Sequence, residues 1–447
     1  MNPHDTAQAN RIAYRGDIVF APTLGELAVY PDGYLVVEGR LIDQVLSASE
    51  GDLLYGGGDP SPGGGSGRIV DYRGKLIIPG FVDLHFHAPQ FPTRGLGLDE
   101  ELLSWLEEYT FPEEGKYSDI GYAGAVYRRA IKELWRQGTT RVAVFATVHR
   151  EATEILFRLF QESGLGAYVG KVNMNRNAPS YLLEDTEQSL MDTREILERF
   201  YGRSQAGLVK PIITPRFVPT CSLDLLLGLG RLAKSYGACV QSHLSENTGE
   251  VELVRGLHPE APSYAAVYDQ AGLLGQTPTL MAHCVHSTEE EIDLLRERGV
   301  YAVHCPSANS NLSSGVMPVR RFIDSGVRVG LGSDVGAGHS VSMARVMISA
   351  IQSSKLKWLW SSRQSVPLTT AEAFYLGTKG SGSFFGRVGS FEPGFEFDAL
   401  VINDMDDTTP GFEEMPLSER LQRFLYTGDE RNIEARFVAG SLVVEPF

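Results

Sequence analysis

An α/β chain is expected: a (β/α)8 TIM barrel over residues 76–389, with a small β-sandwich domain built from both chain ends, 1–75 and 390–447. Three observations point there. Apolar strand-like runs alternate with amphipathic helical patterns from residue 76 onward, which is how βα units around a parallel sheet read. Short strands separated by turn residues fill both chain ends. Histidines and acids recur at the carboxyl ends of the apolar runs, the end at which barrel enzymes carry their chemistry.

The N-terminal region predicts strands at 17–20, 26–30, 34–38 and 40–45, with Pro31-Asp32-Gly33 as the clearest turn signal. The glycine-rich run from Gly56 to Gly67 has no G-x-x-x-x-G-K-[ST] pattern and no helix start after it, so a surface loop is expected rather than a phosphate cradle. Barrel strands are expected at 76–87, 141–149, 167–174, 212–218, 238–245, 279–286, 301–306 and 327–334. Helical patterns at 121–137, 150–163, 186–201, 223–236 and 289–299 separate them. One more helix follows at 370–380, and strands return at 399–403, 435–438 and 441–444.

Composition narrows the partners. With 447 residues and a net charge of −16, the chain would be repelled by phosphate backbones and anionic membranes, so neither a nucleic-acid polymer nor a membrane is an expected partner. A small neutral molecule fits better. Cys221, Cys239, Cys284 and Cys305 form no C-x-x-C pair and lie in or beside apolar stretches, as reduced buried thiols do. The first 15 residues are polar, and no run approaches the length of a membrane span. A cytoplasmic protein is expected.

The first barrel run ends in His85-Phe86-His87. Side chains at i and i+2 of a strand share a face, so both imidazoles can reach one cation. His243, His283 and Asp334 end later runs and complete a candidate ligand set. Imidazoles with a carboxylate suit zinc, with iron or manganese as alternatives. Such an ion lowers the pKa of a bound water to about 7, which makes water the expected nucleophile. His283 either joins the ligands or hydrogen-bonds that water. Glu246, three residues past His243, can carry protons, and Asp334 can accept one. Glu246 could also simply open the next helix as a first-turn acid. His149, His286, His304 and His339 are left outside the ligand set.

Base recognition is expected from Gln90, whose amide suits a purine edge, and from Arg216-Phe217, a guanidinium beside an aromatic. An ion-pairing arginine next to a core aromatic reads equally well. The apolar segment 102–112 is either a lid that excludes water or an amphipathic helix over the barrel mouth.

The segments Pro79-Gly80-Phe81-Val82-Asp83-Leu84-His85-Phe86-His87, Ser242-His243-Leu244-Ser245-Glu246-Asn247, Ala282-His283-Cys284, His304-Cys305-Pro306 and Gly332-Ser333-Asp334-Val335 resemble the amidohydrolase superfamily. Within it, residues 103–112, Thr214-Pro215-Arg216-Phe217 and 424–433 resemble the guanine deaminase branch. The resemblance implies a homodimer with one zinc per subunit that converts guanine to xanthine and ammonia by attack of water at C2. It assigns His85, His87, His243, His283 and Asp334 to the metal, with Glu246, Asp334 and His283 as catalytic groups. Gln90, Arg216, Phe217, His243 and Asp334 fall to the base. Pro89, Ser333 and the glycine loop depart from the common pattern without removing a catalytic group. The nearest rival is a related deaminase of a pterin, a triazine or another aminopurine. A non-catalytic scaffold would be expected to have lost ligands.

Overall fold

The computed structural model describes residues 11–55, 68–201, 207–405 and 411–447; the glycine-rich loop 56–67 lies outside them. Eight parallel-type strands carry the barrel: Phe81–His87, Thr139–Phe145, Gly166–Gly170, Val209–Pro211, Val240–Leu244, Thr279–His283, Tyr301–His304 and Arg328–Leu331. The first four and the last four each form a sheet in chain order. An Ile213–Val240 bridge joins the two sheets, and Asp334 N donates to His85 O at 2.8 Å on the other side. Every residue of these strands is buried except Lys210 and Arg328, which is why the sequence reads as continuous apolar runs instead of alternating ones.

The intervening helices fall where the 3.6-residue pattern put them, at Ile120–Arg136, Arg150–Ser163, Thr186–Phe200, Leu223–Tyr236 and Glu289–Glu297. Their starts follow from side-chain chemistry: Asp185, Ser222 and Thr288 each accept a hydrogen bond from a first-turn backbone N–H.

The expected first barrel strand, 76–87, divides at Gly80. Arg68–Pro79 pairs with Arg11–Phe20 in the small domain, and the barrel begins at Phe81. A Cβ on Gly80 would sit 2.3 Å from Thr140, so only glycine fits at the crossover. The fourth barrel strand also begins earlier than expected, at Val209.

The small domain is a seven-stranded mixed sheet drawn from both chain ends. Its order is Ser441–Leu442, Ile433–Val438, Ala399–Ile402, Arg68–Pro79, Arg11–Phe20, Ala28–Glu38, Leu41–Leu46. Alternate residues of one strand feed its two faces: Leu35 and Val37 join one apolar cluster, Tyr34 and Val36 another. The turn expected at Pro31-Asp32-Gly33 is instead a bulge inside the single strand Ala28–Glu38. Residues 31 and 32 face only Asp17, because Gly16 pairs with Gly33 and Ile18 with Tyr30. Asp32 takes φ +48° there, held by bonds from Arg15 Nε (2.8 Å) and to Asp17 Oδ1 (3.0 Å).

The compact units divide at 82/83 and 368/369, not at 75/76 and 389/390, and residues 135–141 belong with the small domain. The helix Thr370–Tyr375 and the turn after it therefore leave the barrel domain. Lys379 Nζ donating to Pro22 O at 2.6 Å, and the burial of Phe391 in the small-domain core, account for that shift.

Within this unit Arg141 grips Asp398 bidentately, at 2.6 and 2.8 Å, with both side chains buried. Arg141→Ala would leave the carboxylate buried and uncompensated. The expected cost is about 3–5 kcal/mol, read as a lower urea midpoint at unchanged slope.

Candidate metal centre and base pocket

The barrel gathers the predicted groups at one end. His87 Nε2 lies 3.2 Å from both His85 Nε2 and His243 Nε2, and Asp334 Oδ1 lies 3.2 Å from His85 Nε2 and 3.5 Å from His87 Nε2. Ligand atoms of His85, His243, His283 and Asp334 all fall within 4.8 Å of one another. Nitrogens held about 2.1 Å from one tetrahedral ion sit about 3.4 Å apart, so this spacing fits a shared divalent cation.

Electrostatics agree with that fit. Burial, followed by the neighbouring imidazoles and Arg216, holds His85, His87 and His243 well below the ordinary histidine range, so their rings are neutral and offer lone pairs. His243 Nδ1–H donates to Arg216 O at 2.6 Å and His283 Nδ1 pairs with Asn309 Oδ1 at 2.8 Å, which leaves both Nε2 atoms for the centre. His283 Nε2 is buried and has no hydrogen-bond partner.

Two turns are bent into unusual backbone to achieve this. His283 takes φ +74° and Asp334 φ +50°, left-handed conformations that cost of order 1–3 kcal/mol each. Gly332 permits the second turn, since a Cβ there would lie 2.6 Å from His85 Cβ.

Glu246 Oε2 stands 3.4 Å from His283 Nε2, and its Oε1 is buried without a partner. Burial, Asp334 and Glu250 push its pKa well above the carboxylate range. Burial also raises Asp334, to about 6. Glu246 is not the helix-opening acid. Asn247 caps Thr248–Leu257 and Glu250 closes a capping box, accepting from Glu246 N at 2.8 Å and Asn247 N at 3.2 Å.

Beside the cluster lies a pocket bounded by His87, Gln90, Leu102, Trp105, Leu106, Arg216, Phe217, His243, Glu246 and Asp334, with Leu312 and Ala337. Gln90, Arg216 and Phe217 therefore share one cavity with the candidate ligands. Segment 102–115 is helical with one wide turn at Leu106–Thr110, and its apolar side covers the pocket. Arg216 lines the cavity and also ion-pairs with Glu114 at 2.7 Å.

Sequence reasoning missed four contributors. Phe145 packs against His85, His87 and His243 with ring centroids 4.9, 4.5 and 5.0 Å away, an apolar wall beneath the imidazoles. Asp83 accepts from His85 N at 3.1 Å and Ser333 N at 3.0 Å, tying the first strand to the Asp334 turn. Its place two residues before His85, on the same strand face, was the available signal. Asn309 and Glu114 gave none. His149, His286, His304 and His339 stay outside the ligand cluster; His304 is buried with neither ring nitrogen hydrogen-bonded.

The chain belongs to the amidohydrolase family, whose sequence pattern matches residues 76–443. Its relatives put it in the guanine deaminase branch of that family. It is 36% identical to the guanine deaminase of Dictyostelium discoideum over 98% of this chain and 99% of that one. It is 38% identical to the guanine deaminase of Escherichia coli (strain K12) over 85% of each. The crystal structure of guanine deaminase from C. acetobutylicum with bound guanine in the active site is 48% identical and superposes with a TM-score of 0.91, covering 97% of this chain and all of that one. Among the described residues no helix is long and apolar enough to cross a membrane.

Proposed function

We propose that this chain hydrolyses guanine to xanthine and ammonia at the cavity between the imidazole cluster and the Gln90–Arg216–Phe217 wall. The observation that carries this is the shared cavity itself: His87, His243 and Asp334 of the candidate ligands, the buried Glu246 carboxyl and the Gln90, Arg216 and Phe217 side chains all border it. His85, His87, His243, His283 and Asp334 would hold one zinc per subunit, with iron or manganese as alternatives. The ion, when bound, supplies the Lewis acidity that makes water a competent nucleophile near neutral pH.

The protein's own residues do the rest. Gln90 and Arg216 hydrogen-bond the edge of the base, and Phe217 packs beside it, so that C2 faces the centre. As the oxygen of water bonds to C2, Asp334 accepts a proton and Glu246 delivers one to the ring nitrogen. The Glu246 carboxylate then takes the remaining proton from the new C2 hydroxyl and passes it to the exocyclic amine, the C2–N bond breaks, ammonia leaves, and the proton on Asp334 restores Glu246. His283 stands beside Glu246, its Nε2 3.4 Å from Oε2, and places the metal next to the proton-carrying carboxyl. Leu102, Trp105 and Leu106 exclude bulk water. The unpaired, buried cysteines support a reducing, cytoplasmic setting, and the family resemblance supports a homodimer.

Purified protein given guanine, adenine, cytosine, a pterin and an aminotriazine should release ammonia from guanine with the highest kcat/KM. A clear preference for any other ring would overturn the assignment.

A further inference from the structure

Resting on the purine reading of this pocket, we infer that Glu114 is a positioning residue that fixes the base-binding wall and cancels its charge, so that the wall selects a neutral ring. Glu114 is fully buried. Its Oε1 accepts from Gln90 Nε2 at 3.0 Å and its Oε2 from Arg216 Nη1 at 2.7 Å. One carboxylate thus spans two side chains that come from different barrel loops, 126 residues apart in the chain (216 − 90). Gln90 is pinned from its other end as well, because Gly336 N donates to Gln90 Oε1 at 3.2 Å.

The helix Phe111–Gly115 presents two groups to Arg216. Phe111 lies three residues before Glu114, on the same helix face, and the Arg216 guanidinium carbon sits 5.4 Å from its ring centroid. The guanidinium is held by an ion pair and by an aromatic face at once, and it borders the cavity. The same helical segment supplies Leu102, Trp105 and Leu106 to the cavity. Its covering side chains and the base-holding pair are therefore set by one piece of structure.

Charge is the second consequence. Among the described residues Arg216 is the only cationic side chain bordering the cavity, and it is buried. Left alone it would favour anionic ligands strongly in so dry a site. Paired with Glu114 it offers directional donors with no net charge, which suits an uncharged aminated ring and disfavours a ring bearing a carboxylate.

The test uses the full-length, metal-loaded protein. Glu114→Gln keeps the shape and removes the charge. It should raise KM for guanine about ten- to hundredfold while kcat falls much less, because both partners lose a charge-assisted bond. Measured by calorimetry, its affinity for purine-6-carboxylate relative to purine-6-carboxamide should rise at least about tenfold over the wild-type ratio. The double variant Glu114→Gln/Arg216→Gln should lose that anion preference again.

A purely structural role would weaken both probes equally, and that result overturns the inference while leaving the deaminase reading intact. Folding of the double variant where Glu114→Gln alone fails to fold would support charge cancellation; failure of both would overturn it. A wild-type protein that releases no ammonia from guanine would sink the substrate reading, and this inference with it.

Discussion

Glu246→Gln is expected to lower kcat by about two to four decades while the protein keeps its metal and its fold. The amide is nearly the same shape and can still stand beside His283, but it cannot take up a proton and return it. The wild-type carboxyl is built for that exchange. Burial and the neighbouring carboxylates Asp334 and Glu250 push its pKa well above the carboxylate range, and its Oε1 is buried without a hydrogen-bond partner. Its backbone is held independently of its side chain, since Glu250 accepts from Glu246 N and anchors its other oxygen on Tyr264 Oη at 2.7 Å. The substitution should therefore leave the turn in place and KM within a few-fold. Steady-state kinetics with metal analysis on the same sample would decide the matter, and near-normal turnover would remove Glu246 from the chemistry.

The barrel was legible because its physics is local. Buried parallel strands must be apolar along their whole length, and the helices between them carry a 3.6-residue stripe, so both could be read by eye. The candidate ligands were legible for a related reason: His85 and His87 sit two apart on a strand, and His243, His283 and Asp334 end strands. The bulge at Asp32 was not legible, because Pro-Asp-Gly is also what a turn looks like, and only the pairing of Gly16 with Gly33 distinguishes them. The domain boundary was blurred by Gly80, where a single apolar run serves two sheets.

Long-range partners were hidden altogether. Glu114 lies in a helix where an acid is unremarkable, and its partners are 24 and 102 residues away. Asn309 likewise meets His283 across 26 residues. No periodicity encodes such contacts. They arise from how barrel loops converge, which is also why the left-handed turns at His283 and Asp334 left no mark in composition.

Removal of the metal by a chelator is the other change with a large expected effect: turnover should vanish, and addition of zinc should restore it. The fold should survive, for reasons visible in the ligands. The three imidazoles in contact are held neutral, so an empty centre does not force like charges together. His243 and His283 keep their Nδ1 bonds to Arg216 O and Asn309 Oδ1, and His85 keeps its backbone bond to Asp83, none of which needs the ion. What is lost is linkage. An ion present at a thousandfold its dissociation constant stabilises the folded state by about 4 kcal/mol, so the metal-free protein should unfold at a lower temperature. His87→Ala removes the ring that stands 3.2 Å from two other candidate ligands, and should reproduce both effects without a chelator, with metal content well below one per chain. Iron, manganese and zinc added separately to the stripped protein would rank the metals by recovered turnover. Full activity in a sample shown to contain no transition metal would defeat the metal assignment, because neither Glu246 nor Asp334 can by itself make water a strong enough nucleophile to displace an amine from an aromatic ring.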